Sequence, residues 1–105
     1  METAQPFTLA MYRVKPGAED DFISAWRELA RTFTSLPAPP IWARLIRSRS
    51  DATLFYSFGP WKDAADVTAM RGHPAAGQAL ARIRELCLEM IPGEYELVEH
   101  VQIQQ

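Results

Sequence analysis

The chain has 105 residues, 48 % of them apolar, and 13 acidic residues against 11 basic ones leave a net charge of −2 at neutral pH. That length fits one domain, residues 1–105 with a core over about 7–103, and a monomer of this size buries only roughly 60 to 65 % of the surface its unfolded chain exposes, so a partner subunit is favoured. A near-balanced charge without a basic stripe argues against nucleic acid as a partner. The single cysteine, Cys87, excludes an intrachain disulfide. No apolar run approaches the ~20 residues that span a bilayer, and Met1 to Pro6 has neither a basic stretch nor an apolar run, so the expected location is the cytoplasm, away from membranes.

Residues Phe7 to Val14 alternate and predict a strand, with Phe7, Leu9 and Met11 on one face and Ala10, Tyr12 and Val14 on the other. After Lys15-Pro16-Gly17 the spacing changes to Phe22, Trp26, Leu29 and Phe33, an amphipathic helix with Glu19, Asp20 and Asp21 in its first turn. It must end before Leu36-Pro37-Ala38-Pro39-Pro40, because proline lacks the amide donor and restricts the residue ahead of it. Ile41 to Arg49 and Thr53 to Gly59 form a hairpin across Ser50-Asp51-Ala52. A helical region follows Trp61-Lys62-Asp63, with Ala64, Val67, Thr68 and Met70 at helical spacing, and breaks at Arg71-Gly72-His73-Pro74. Pro74 opens a new helix capped by His73, with Ala76, Leu80, Ile83, Cys87 and Met90 as its buried stripe. Pro92-Gly93 is expected to terminate that helix, and the alternation from Tyr95 to Ile103 predicts a last strand.

The order is β-α-β-β-α-β, an α+β, ferredoxin-like arrangement with a four-stranded antiparallel sheet. Its helices cover one sheet face, whereas Phe7, Leu9, Met11, Leu54, Tyr56 and Phe58 crowd the other. A second copy of the sheet is the simplest cover, because a two-fold contact presents the same apolar patch from both subunits, so a homodimer is expected.

With one cysteine and two separated histidines, His73 and His100, no metal-ligand spacing appears, and no glycine-rich phosphate loop occurs; neither a metal nor a nucleotide cofactor is expected. Tyr12, Trp42, Phe55, Ser57 and Trp61, with Trp26 on the covering helix, read either as core packing or as an apolar pocket with a few polar tips. In the pocket reading Tyr12, Ser57 and His73 supply donors or a base, and Arg44, Arg47 or Arg82 an anion partner; a helix cap for His73 and solvated surface charge for the arginines are the alternatives.

The run Ile41-Trp-Ala-Arg-Leu-Ile-Arg-Ser-Arg-Ser, followed by Leu54-Phe-Tyr-Ser-Phe-Gly-Pro-Trp61-Lys-Asp-Ala-Ala, resembles the antibiotic biosynthesis monooxygenase family of dimeric α+β barrels, and the resemblance extends from Phe7 to about Ile103. In the family's haem-degrading branch an asparagine, a tryptophan and a histidine serve the haem; Ala10, Met70 and Leu80 stand at those positions here, so the resemblance does not imply haem. In the cofactor-independent branch, which oxidises anthrones, an asparagine precedes by four residues the tryptophan that follows the third strand. Trp61 matches that tryptophan, and Ser57 stands in place of the asparagine. The resemblance therefore implies a cofactor-independent monooxygenase that oxidises a small quinol- or anthrone-like aromatic with molecular oxygen. Ser57, Trp61, His73 and Tyr12 would be its catalytic residues, and Trp26, Trp42, Phe55 and Arg82 its substrate contacts. A non-catalytic small-molecule-binding or regulatory barrel is the alternative.

Overall fold

The computed structural model describes residues 4–104. Its first strand, β1 (Pro6–Val14), ends at Lys15-Pro16-Gly17, where Gly17 adopts φ 88°, a left-handed conformation that side chains disfavour. Helix α1 (Glu19–Thr34) follows, with its three acidic residues at the positive end of the helix dipole and Phe22, Ala25 and Leu29 buried. Strands β2 (Arg44–Arg47) and β3 (Leu54–Pro60) form the hairpin. Asp51 shapes its turn, accepting hydrogen bonds from the Thr53 amide (3.0 Å) and hydroxyl (2.7 Å) and from Arg13 (3.1 Å). Two helices, α2 (Ala64–Arg71) and α3 (Pro74–Glu85), lead into β4 (Cys87–Glu96). All neighbours pair antiparallel in the order β2-β3-β1-β4, which makes the molecule an α+β, ferredoxin-like fold. Among the described residues no helix is long and apolar enough to cross a membrane.

Directly opposed residues in a ladder share a face, so the register assigns each side chain. Ala10↔Ser57, Tyr12↔Phe55 and Leu45↔Ser57 face the helices, whereas Leu9↔Phe58, Met11↔Tyr56 and Ile46↔Tyr56 face away. This is the division that the alternation predicts.

The C-terminal third departs from expectation. The last helix stops at Glu85, so Cys87 and Met90 lie on β4, and the final strand is Cys87–Glu96 instead of Tyr95 to Ile103. Pro92-Gly93, expected to end a helix, sits inside the strand opposite Ala10 and Leu9. Because β4 is an edge strand, a missing amide that points away from β1 breaks no ladder bond. The Tyr95 ring lies over Gly93, where an added Cβ would come within 2.7 Å of its Cε1. Glu96 is opposite Pro6, the first residue of β1, and Leu97 makes one further bond from its amide to the Gln5 carbonyl (2.8 Å). Beyond that point β1 offers no partner, and Val98, Val101 and Ile103 are exposed outside regular structure. The second strand is also shorter than the apolar run suggests: Ile41 to Ala43 lie outside it, although the Ile41 amide bonds to the Pro60 carbonyl.

The core under the helices falls into two clusters. Tyr12, Val14, Phe22, Leu29, Phe55 and Ile83 anchor one; Leu36, Trp61, Val67, Met70 and Ala76 form the other; Phe33 and Leu80 pack against both. Phe22 is fully buried, with its ring centroid 4.9 Å from that of Tyr12 and 4.7 Å from that of Phe55. Phe22→Ala should therefore destabilise the fold by about 3–5 kcal/mol in denaturant unfolding, the range for emptying an aromatic site. Gly59 lies so close to the Trp42 carbonyl that any Cβ would collide with backbone, so Gly59→Ala should cost about 2–3 kcal/mol in the same assay.

Candidate functional site

A cavity of about 110 Å³ opens between sheet and helices where the two core clusters meet. Its sheet side is formed by Thr8, Ala10 and Tyr12 of β1 with Ser57 of β3, and its helix side by Trp26, Leu29 and Phe33 of α1 and Leu80 of α3. Trp61 and Met70 close it from the second cluster.

Register brings the polar pair together. Tyr12 is opposite Phe55 and Ser57 opposite Ala10, so Tyr12 and Ser57 are diagonal neighbours on the helix-facing side, within reach of a tyrosine side chain. Their hydroxyls are 2.7 Å apart. Tyr12 is 2 % exposed, whereas Ser57 is half-buried. Burial pushes the Tyr12 phenol above its ordinary value of 10.0, while hydrogen bonding to Ser57 pulls the other way. The phenol is therefore protonated at neutral pH. When it donates to the Ser57 oxygen, the serine proton is left free to point at a bound molecule.

Trp61 follows β3 and is fixed at both ends. Its amide donates to the Pro6 carbonyl (2.8 Å), and its indole Nε1 donates to the Thr8 hydroxyl (2.9 Å). The Phe33 ring meets it edge-on at 5.9 Å. Trp42 also borders the cavity, although its ring packs on the other side of the sheet, edge-on to Phe7 (6.2 Å) and Phe58 (6.1 Å), with the Arg44 guanidinium 4.5 Å from its centre.

The structure thus gathers Tyr12, Ser57, Trp61, Trp26 and Trp42 around one space and leaves Phe55, His73 and Arg82 outside its lining. Phe55 is core, stacked between Phe22 and the Arg47 guanidinium. His73 caps α3 in an extended conformation; its side chain makes no capping bond, and its buried Nδ1 has no hydrogen-bond partner among the described residues. Arg82 lies beside α1 near Asp21 and Glu28 and pairs with Glu85 (3.6 Å).

Three polar lining residues escape sequence reasoning: Thr8, Arg71 and Arg84. A signal for Arg84 exists, since it is one turn beyond Leu80 on the same helix face, while Arg82 is rotated by roughly 200° from Leu80.

The sequence profile of the antibiotic biosynthesis monooxygenase family matches residues 7–82. No curated protein matches the chain in sequence. Its fold is similar to that of SnoaB, a cofactor-independent oxygenase from Streptomyces nogalater, at 17 % identity and a TM-score of 0.85 over 94 % of this chain and 98 % of that one. It is also similar to a putative antibiotic biosynthesis monooxygenase from Chloroflexus aurantiacus J-10-fl (20 % identity, TM-score 0.76, 96 % and 100 % covered) and to another from Nitrosomonas europaea (16 %, 0.80, 93 % and 94 %). At these identities what the chains share is the fold. The profile match covers well over half of the sequence, and on that basis the chain belongs to the antibiotic biosynthesis monooxygenase family.

Proposed function

We propose that the chain is a cofactor-independent monooxygenase that oxidises a small quinol-like aromatic with molecular oxygen in the cavity beneath α1. The observation that carries this reading is an open, apolar, aromatic-walled space with a hydrogen-bonded hydroxyl pair, Tyr12 and Ser57, at its sheet side. An electron-rich aromatic supplies its own electrons once deprotonated, so the protein's part is to hold it dry and stabilise its anion. For a hydroquinone the net change replaces one ring C–H by C–OH and oxidises the ring to the quinone. One oxygen atom enters the product and the other leaves as water, so the substrate provides all four electrons.

Ser57, braced by Tyr12, donates to the substrate oxygen on which negative charge develops. Trp61 forms a wall held in orientation by Thr8. Ser57→Ala should lower kcat/KM by about 10- to 100-fold in an oxygen-electrode assay with hydroquinones, somewhat below the loss typical of a full oxyanion donor. Tyr12→Phe should lower it less, because the serine remains. His73, outside the lining, should tolerate alanine with little change in rate.

A second reading is a binding protein without turnover. It is favoured by the described lining residues, which include no carboxylate or histidine to act as a base and in which Tyr12 is held protonated. Saturable binding without oxygen uptake would select it.

The buried neutral phenol also sets a pH dependence. With the folded pKa above the unfolded value of 10.0, its contribution to stability is intact below pH 10.0 and is lost as pH rises from there toward the folded value. The absorbance difference between the wild type and Tyr12→Phe should accordingly show tyrosinate formation only above pH 10.0.

We further propose a homodimer joined through the outer sheet face. Ile46, Tyr56, Ile91 and Tyr95 are exposed there beside Phe7, Leu9 and Met11. Four strands at roughly 4.8 Å and about seven residues at roughly 3.4 Å give a face of about 19 by 24 Å. With side-chain relief, that is of the order of the ~800 Å² each partner contributes to a stable interface. Sedimentation at micromolar concentration should give twice the chain mass; a monomer would rule out the dimeric barrel.

A further inference from the structure

We infer that the cavity selects a single-ring hydroxylated aromatic bearing a carboxylate, the ring enclosed between sheet and α1 and the carboxylate held by Arg84. This rests on the cavity being the substrate site, and it concerns what enters there. The cavity volume, about 110 Å³, sets the first limit. A cavity of ~150 Å³ in another protein takes one benzene molecule, so the space here holds no more than one ring, its substituents reaching the open side, and leaves most of a fused tricycle outside.

Charge sets the second limit. Among the described lining residues Arg71 and Arg84 carry formal charge and no carboxylate does. Arg71 faces Glu94 at 3.6 Å, so its charge is partly answered. Arg84 has no ion-pair partner among the described residues, although Arg82 on the same helix is paired with Glu85. Arg84 is exposed at the edge of the cavity, beside its apolar, aromatic wall, and its guanidinium is free to make a charge-assisted hydrogen bond to a ligand whose ring enters there. The planar fork of arginine matches a carboxylate edge with two parallel bonds. A neutral hydroquinone leaves that charge unanswered, whereas a hydroxybenzoate answers it while its hydroxyl reaches toward Ser57.

The test is an anaerobic tryptophan-fluorescence titration of the wild type, Arg84→Gln and Arg84→Lys with three probes: dihydroxybenzoate, hydroquinone and a neutral anthrone. Dihydroxybenzoate should bind the wild type about tenfold or more tighter than hydroquinone at low salt, and added salt should weaken it selectively. Arg84→Gln should abolish the preference while changing hydroquinone affinity less than about threefold, and Arg84→Lys should restore part of it. Equal affinities, a preference that survives Arg84→Gln, or tighter binding of the anthrone would each overturn the inference. The preference without oxygen uptake supports the inference and removes only the oxygenase reading. Failure of all three probes to bind removes both.

Discussion

The structure depends on a break in its helical cover. Pro74 has no amide to donate and holds His73 extended, so the segment after β3 becomes two short helices, α2 and α3. A single continuous helix would present one apolar stripe to the sheet. Two helices instead close two core clusters, one around Phe22 and one around Trp61, with Phe33 and Leu80 shared between them. The cavity is the gap at that seam. Its walls are side chains that already belong to a core, which is why it is apolar on most sides.

Within that shell the polar groups are few and mutually satisfied. Tyr12 and Ser57 bond to each other, and Thr8 takes the Trp61 indole proton. Burying a hydroxyl without a partner costs about 1–3 kcal/mol, so such pairing is what allows polar atoms to stand at the bottom of an apolar space. It also fixes their roles. The deeper phenol is kept neutral and oriented, and the shallower serine carries the free donor position. Charge is confined to the ends of α2 and α3, at Arg71 and Arg84.

Much of this was legible in the sequence, and what was not has physical causes. The two faces of the sheet follow from alternation in Phe7 to Val14 and Leu54 to Phe58, because a period of two leaves no freedom once one face is covered. The helix break was readable from Gly72-His73-Pro74. The end of α3 was not, since Ala76, Leu80, Ile83, Cys87 and Met90 keep helical spacing straight across the boundary. Pairing with β1, nearly the whole chain away in sequence, decides that Cys87 and Met90 are strand residues. The same contact explains why the alternation beyond Glu96 forms no strand among the described residues: the ladder runs out at Pro6. At the site, Trp61, Tyr12 and Ser57 were identifiable as residue types on the right face. The choice of Arg84 over Arg82 follows from the helical phase of α3, since Arg84 continues the face of Leu80, but that Leu80 borders a cavity is fixed only by how α3 packs against the sheet and α1.

The two faces of the sheet are not independent, and Trp42 is where they meet. Its ring packs against Phe7 and Phe58, which point away from the helices, yet it borders the cavity on the other side. Its carbonyl lies against Gly59, so its backbone is held by a contact that admits no side chain on β3. The position of this indole at the cavity rim is thus set by packing on the outer face. Whatever covers that face presses on Phe7, Phe58 and Trp42 together, and the shape of the rim follows from the same contacts that make the face apolar.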